Sequence, residues 1–138
     1  MTAIKKDNPI LRKVCDEVNH KEDHSFLINH MFTVMYASRG VGLAAPQVGD
    51  LKRIIVVHVS GFKEVFINPV ITKRYGGKHS AVEGCLSFPG KQVYVTRHRR
   101  IWVEGYNQSG VKIKRKLKGL AARCVQHEVD HLDGICID

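Results

Sequence analysis

A chain of 138 residues suits a single domain, and a hydrophobic content of 43% is enough for a core and argues against intrinsic disorder. The net charge of +9 favours a polyanionic neighbour such as RNA, although a solvated basic surface would explain it equally well. The sequence contains neither a membrane-spanning run nor a signal peptide, and its four cysteines are scattered. Free thiols in a reducing cytoplasm are therefore expected.

The first half of the chain predicts one helix and two strands. Apolar residues recur at helical spacing from Asp23 to Ser38, with the first residue of this range as the N-cap. The segment from Gly40 to Gly49 has too many Gly and Pro residues for a regular element and is too apolar for an ordinary surface loop. Runs of β-branched residues then predict strands from Lys52 to Val59 and from Glu64 to Val70, the second ended by Pro69.

The second half predicts a hairpin and a final helix. The strands from Val93 to Val103 and from Val111 to Leu117 are expected to pair across the turn YNQSG. A helix is expected from Leu120 to Leu132, with Gly134 as its C-terminal cap. Strands with one helix before and one after indicate an α+β fold. Alternation in the last strand places its lysines together on one face: Lys112, Lys114, Lys116 and Lys118.

The segment QHEVDHLDG suggests a metal site. His127 and His131 are four residues apart, so both imidazoles lie on one face of the predicted helix and can reach one ion. With Glu128 they form the pattern H-E-x-x-H, which is typical of zinc-type hydrolysis. Such enzymes usually have three protein ligands and one open position for water. Ile137 stands where a metzincin protease has its third histidine, so the third ligand is sought upstream.

Several upstream side chains could supply the third ligand. His20, His24 and His30 lie in or beside the first helix and are interpreted as solvated surface residues. Cys85 is the stronger candidate, because it lies among small residues in EGCLSFPG and a thiolate binds zinc or iron(II) well. Taken alone, however, a single cysteine is more often a small buried apolar residue.

Three motifs follow one another in this chain: GVGLAAPQVG, EGCLS and QHEVDHLDG. Together with NPILRKVCDEV and INPVI, they resemble the sequence of the peptide deformylases. The resemblance implies one catalytic domain over residues 1–138, with antiparallel β-sheets packed around a central helix that carries H-E-x-x-H, and an N-terminal helix. It also implies a hydrolase that removes the formyl group from the N-terminal formylmethionine of nascent chains and releases formate.

The resemblance also implies a metal centre. Its ion would be iron(II) natively, although zinc, nickel or cobalt would also suit a thiolate and two imidazoles. Glu83 and Asp130 are expected to orient the ligands, with Arg97 paired to Glu83. The ligands implied by the resemblance are Cys85, His127 and His131.

The remaining roles concern the substrate. By resemblance, Glu128 takes a proton from the attacking water and later gives it to the leaving amine. The side-chain amide of Gln47 and the backbone N–H of Leu86 would stabilise the negative charge that develops on the formyl oxygen. An apolar pocket would hold the methionine side chain, and its candidate residues are Val41, Gly42, Leu86, Leu120 and Cys124.

Two features depart from the family pattern. Gln92 stands where many members have an arginine near the peptide part of the substrate. No C-terminal helix, which docks many bacterial members on the ribosome, follows the last motif, as in phage-type forms. A monomer that acts on N-formyl-methionyl nascent peptides is expected, without membrane contact. The basic strand from Val111 to Leu117 is a hypothetical site of transient ribosome contact.

Three other interpretations compete with this one. A small zinc peptidase would cleave unformylated peptides and would not need Gln47, but the missing downstream ligand argues against it. A basic RNA-binding module with a structural metal would need four ligands and stacking aromatic residues, whereas aromatic residues make up only 7%. A deformylase-like protein without activity is disfavoured, because every central motif residue is present.

Overall fold

The computed structural model describes residues 2–137, so that Met1 and Asp138, the two ends of the predicted domain, lie outside the described residues. Short 3₁₀ helices occur at Pro9–Arg12 and Ala45–Val48. The other elements, in chain order, are α1 (Ser25–Ala37), β1 (Gly42–Ala44), β2 (Ile54–Val59), β3 (Phe62–Cys85), β4 (Phe88–Tyr106), β5 (Lys112–Lys118) and α2 (Gly119–Leu132).

The five strands form one antiparallel sheet in the order β1-β2-β3-β4-β5. Each strand pairs with its neighbour in the sequence, and this arrangement needs only short turns. The α+β prediction is therefore confirmed, and α2 carries the H-E-x-x-H motif. None of the helices within residues 2–137 has the length and apolar character required to cross a bilayer.

The two helices pack against opposite faces of β2. Ile55 and Val57 lie in a core cluster with residues of α2, whereas Ile54 and Val56 lie in a second cluster with residues of α1. All four side chains are fully buried. This burial on both faces explains why the sequence of β2 is a continuous run of β-branched residues rather than an alternation of apolar and polar residues.

The prediction that Pro69 ends the second strand is wrong, because β3 continues to Cys85. The pairing of β3 with β4 shifts register between Ile67 and Val70, which places Pro69 in a β-bulge. A bulge tolerates a residue that has no N–H to donate. Asn68 adopts a positive φ of 52° there, and its side-chain amide bonds both backbone groups of Val18.

The first helix corrects two further expectations. Its N-cap is His24 rather than Asp23, although the carboxylate of Asp23 accepts a hydrogen bond of 2.8 Å from the N–H of Ser25, the first residue of the helix. His24 is buried, not solvated, and its Nε2 donates to the carbonyl of Asn19 at 2.8 Å. His20 is half-buried and stacks on Tyr106 with ring centroids 3.6 Å apart.

Helix α2 ends close to its predicted boundary, and Gly134 follows with a φ of +74°. We expect Gly134→Ala to lower the free energy of unfolding by about 3 kcal/mol, because the backbone is left-handed and the new Cβ would overlap the Arg12 carbonyl. Gly61→Ala is the matched control. It has a φ of +80° but open space around it, and should cost only about 1 kcal/mol. Equal losses in urea unfolding would contradict this account.

Candidate active site

Two elements bring the three predicted ligands together. Cys85 is the last residue of β3, and the two histidines project from neighbouring turns of α2. Cys85 Sγ lies 3.3 Å from His131 Nε2, and one ligand atom from each of Cys85, His127 and His131 lies within 4.8 Å of the others. Within residues 2–137, this is the one group of three or more such side chains.

The donor set fits a divalent transition metal. A thiolate and two imidazoles suit zinc or iron(II), and three protein ligands leave a fourth position open. A second observation supports the same fit. Glu128 is buried beside His127, and its Oε1 has no hydrogen-bond partner among the described residues. A buried carboxylate oxygen is normally paired, so this atom has unused accepting capacity.

Glu83 orients the first histidine. Its carboxylate accepts a hydrogen bond of 2.8 Å from His127 Nδ1, which leaves Nε2 free to bind a metal. Arg97 donates to both Glu83 oxygens and also to Asp130, at 2.6, 2.8 and 2.9 Å. Burial disfavours the charged form of Glu83, but the hydrogen bonds from His127 and Arg97 outweigh it and lower its pKa to about 2.

Arg123 joins this network, although the sequence analysis did not single it out. Its Nη1 donates to Glu83 and to the carbonyl of Val95, and its Nη2 donates to the carbonyl of His79 at 2.6 Å. Arg123 therefore ties α2 to both β3 and β4. The available signal was its position one turn before His127, on the same helical stripe.

Burial dominates the electrostatics of the remaining charged groups. It raises the pKa of Glu128 to about 7, against the opposing effect of His127. Burial also opposes the charged form of His127, but Glu128 and hydrogen bonds to Cys85 and Glu83 raise its pKa to about 10. Burial and the charge of His127 lower the pKa of His131 to about 3. The protein groups alone therefore keep His131 neutral, which is the form that binds a metal, whereas His127 must release a proton when a metal binds.

Gln47 is held firmly beside Cys85. The 3₁₀ helix Ala45–Val48 turns its side chain into the site, where it is only 1% exposed. Its Oε1 accepts from the Ala44 N–H at 3.0 Å, and its Nε2 donates to Ser87 Oγ at 3.1 Å and lies 3.6 Å from Cys85 Sγ. The buried Ser87 was not predicted, although it belongs to the EGCLS motif.

A cavity of about 580 Å³ lies beside these groups. It is lined by Cys85, Gln47, His127 and Glu128, and also by Gln92. Basic residues that the sequence analysis did not single out lie on its wall as well, namely Lys5, Arg39 and Lys91. All five predicted pocket residues line the same cavity: Val41, Gly42, Leu86, Leu120 and Cys124.

Gly42 allows β1 to approach α2 closely. A Cβ at this position would lie 2.7 Å from both Cys124 Sγ and Glu128 Oε2. Real Cβ atoms do not approach other atoms so closely, so only glycine fits without displacement of the buried carboxylate. The two predicted pocket residues at the rim, Val41 and Leu120, are 46% and 56% exposed.

An α+β fold that gathers one cysteine and the two histidines of H-E-x-x-H, with a buried carboxylate facing a cavity, defines a metal-dependent hydrolase. Comparison with known proteins identifies the family. The family model described as "Polypeptide deformylase" matches residues 1–138.

Individual relatives agree with this match. The peptide deformylase of Natranaerobius thermophilus is 42% identical over 140 residues, covering 96% of this chain and 89% of that protein. The structure of PDF from the Vibrio parahaemolyticus bacteriophage VP16T, in complex with actinonin, aligns with a TM-score of 0.96 and 46% identity, covering 99% of this chain and all of that one. A probable peptide deformylase from Synechococcus phage S-SSM7 aligns with a TM-score of 0.91 and 42% identity, over 99% and 96% of the two chains. The chain belongs to the peptide deformylase family.

We expect Glu83→Gln to weaken binding of cobalt(II) by about 10- to 100-fold, because the amide holds His127 and the arginines less firmly than a carboxylate. The dissociation constant is measured by competition with a chelator. Glu17→Gln changes the same group on an exposed side chain and should bind as the wild type does. Wild-type affinity in Glu83→Gln would show that the carboxylate does not support the ligands.

Proposed function

We propose that this chain hydrolyses the N-formyl group of formyl-methionyl nascent peptides and releases formate. The observation that carries the proposal is the convergence of three ligand atoms within 4.8 Å of one another beside a cavity that also contains the buried Glu128. The relatives named as peptide deformylases support the same reaction.

Cys85, His127 and His131 would hold one divalent metal. We propose iron(II) as the native ion, with zinc, nickel or cobalt as substitutes, because a thiolate and two imidazoles suit all four. When bound, such an ion acts as a Lewis acid that acidifies water and polarises a carbonyl oxygen.

Glu128 would move the proton. As general base, it takes a proton from the water that attacks the formyl carbon. It then gives that proton to the peptide nitrogen as the carbon–nitrogen bond breaks, so that the products are formate and a free N-terminal amine. This role is supported by the placement of Glu128 in the cavity wall and by its Oε1, which has no partner among residues 2–137.

Gln47 and Leu86 would stabilise the oxyanion. The Gln47 side chain carries N–H donors beside Cys85, and Leu86 follows that cysteine in the chain. Donors fixed in advance stabilise developing charge better than donors that must reorganise. The hydrogen bonds of Gln47 to Ala44 and Ser87 support such a role, since they hold the amide in place.

The cavity residues would bind the methionine side chain, and β1 would bind the peptide. β1 is at the end of the strand order and pairs only with β2 in the described sheet. An extended substrate could therefore add as a further strand beside Gly42–Ala44 through main-chain hydrogen bonds. Gln92 lines the same cavity and would contact the peptide beyond the methionine.

The proposed working unit is a monomer of one catalytic domain over residues 1–138, the range of the family match. We infer a cytoplasmic enzyme, because its proposed substrates are nascent chains and because a reducing compartment keeps Cys85 available as a thiolate. Transient contact with the ribosome through the basic face of β5 is part of the same proposal. The comparisons do not support the zinc peptidase or the RNA-binding module as the primary function.

Formate release from formyl-Met-Ala-Ser tests the reaction. We expect protein loaded anaerobically with iron(II) or nickel to release formate, and Glu128→Ala to lower kcat by about 10²- to 10⁴-fold through loss of the base. Glu128→Gln keeps the shape of the side chain and allows folding and metal content to be verified. No release from folded, metal-loaded wild type would overturn the proposal, and cleavage of unformylated Met-Ala-Ser would favour a peptidase.

Gln47→Ala tests oxyanion stabilisation. We expect kcat to fall about 100-fold with little change in KM, because the amide acts on charge that develops only in the transition state. Ser87→Ala retains the amide but removes one group that orients it, so its loss should be clearly smaller. A rise in KM with unchanged kcat in Gln47→Ala would instead assign the residue to substrate binding.

A further inference from the structure

The outer face of the sheet, opposite α2, carries an organised set of side chains. β3, β4 and β5 pair there, with one register shift between Ile71 and Lys73 of β3, and on β4 the residues of this face alternate with core residues such as Ile101 and Val103. The paired rows are Tyr75 with Arg100 and Lys118, Lys73 with Trp102 and Lys116, Glu104 with Lys114, and Tyr106 with Lys112. We call this set the outer basic face.

The outer basic face is strongly cationic. It presents the exposed groups Lys73, Arg100, Lys112, Lys114, Lys116 and Lys118. Within its rows the single carboxylate is Glu104, which pairs with Lys112 at 3.3 Å. An assembly of like charges at neighbouring positions is unfavourable by itself, because like charges opposite one another destabilise a sheet. A bound polyanion would relieve that repulsion.

An aromatic side chain lies among these cations. Trp102 is partly exposed on the central strand, with Lys114 Nζ 4.9 Å and Lys116 Nζ 5.8 Å from its ring centroid. On β3, Lys73 Nζ lies 5.0 Å from the ring centroid of Tyr75. Cation–π contacts at exposed sites are weak, so the lysine head groups can leave the rings at little cost.

Aromatic rings bordered by cations are the combination that binds single-stranded nucleic acid: bases stack on the rings, and ammonium groups contact the backbone phosphates. Charged side chains alone would suffice for a solvated surface or for contact with an anionic membrane. Neither of these would require the aromatic ring of Trp102 in the middle of a strand. We propose that the outer basic face binds a single-stranded RNA segment, with one base stacked on Trp102 and phosphates on the lysines of β5.

The proposal names the ligand chemistry of the basic face of β5, for which ribosome contact was proposed above, but it does not depend on the hydrolase activity. None of the side chains of the outer basic face lines the active-site cavity, and α2 packs against the opposite face of the same strands. RNA bound there would leave the cavity open. Substitutions on this face are therefore expected to change RNA binding without changing formate release.

Trp102 is the only tryptophan in the sequence, so its fluorescence reports this face directly. We expect a single-stranded RNA of about twelve nucleotides to quench it, and the affinity to fall steeply between about 50 and 200 mM salt. The replacement of Lys114, Lys116 and Lys118 by Gln should weaken binding at least tenfold and reduce the salt slope by about two. Trp102→Leu, followed with labelled RNA, should weaken binding roughly tenfold.

The matched control removes the same charge elsewhere: Lys6 and Lys13, both exposed, and Lys52, which lies beside Asp50, are replaced by Gln. This control should keep most of the affinity, and thermal unfolding verifies that every variant is folded. Absence of quenching at low salt, or equal weakening in both triple variants, would overturn the proposal. If Trp102→Leu keeps the wild-type affinity and the protein binds an RNA duplex equally well, base stacking is excluded and the interaction depends on charge alone. Binding to phosphatidylserine vesicles without RNA binding would replace it with a membrane contact.

Discussion

The buried carboxylate of Glu83 is the interaction on which the site depends. It lies two residues before Cys85 on β3, accepts from His127 and Arg123 on α2, and accepts from Arg97 on β4. Breaking such a buried pair leaves an uncompensated charge, which typically costs about 3–5 kcal/mol. One carboxylate thus fixes the strand that carries the cysteine relative to the helix that carries both histidines.

Close approach of β1 to α2 is the second constraint. Gly42 is the residue that permits it, because any Cβ would meet Cys124 and Glu128. This approach covers the carboxylate of Glu128 and raises its pKa to about 7, since burial disfavours its charge. The glycines of the GVGLAAPQVG segment are therefore explained by the close approach of the backbone to neighbouring side chains, as well as by the turn that the segment makes.

Local patterns predicted most elements, whereas long-range contacts decided the rest. The spacing in α2 gave both histidines and the helix end, because a helix places residues four apart on one face. The continuation of β3 past Pro69 was not predictable, since it depends on a bulge whose partner residues lie on β4. Likewise Cys85 belongs to a segment that is far from the histidines in the sequence and that strand pairing brings to the site. Only the combination of motifs indicated it as a ligand. Helical spacing places Arg123 one turn before His127, but its bond to Glu83, like the bond of Gln47 to Ser87, is a long-range contact that no local pattern carries.

Strand register links the two sides of the sheet. On β4, Ile101 and Val103 face the core under α2, while Arg100 and Trp102 face outward. A slip of one residue would exchange the two sets, burying cations and exposing the apolar core. The register shifts between β3 and β4, including the one just before Cys85, therefore have to be fixed by the structure. The charge of the outer face strengthens this selection, because the lysines of β5 cannot enter the core without partners. The same alternation that packs Ile101 and Val103 in the core under α2 thus also requires the opposite surface to be polar.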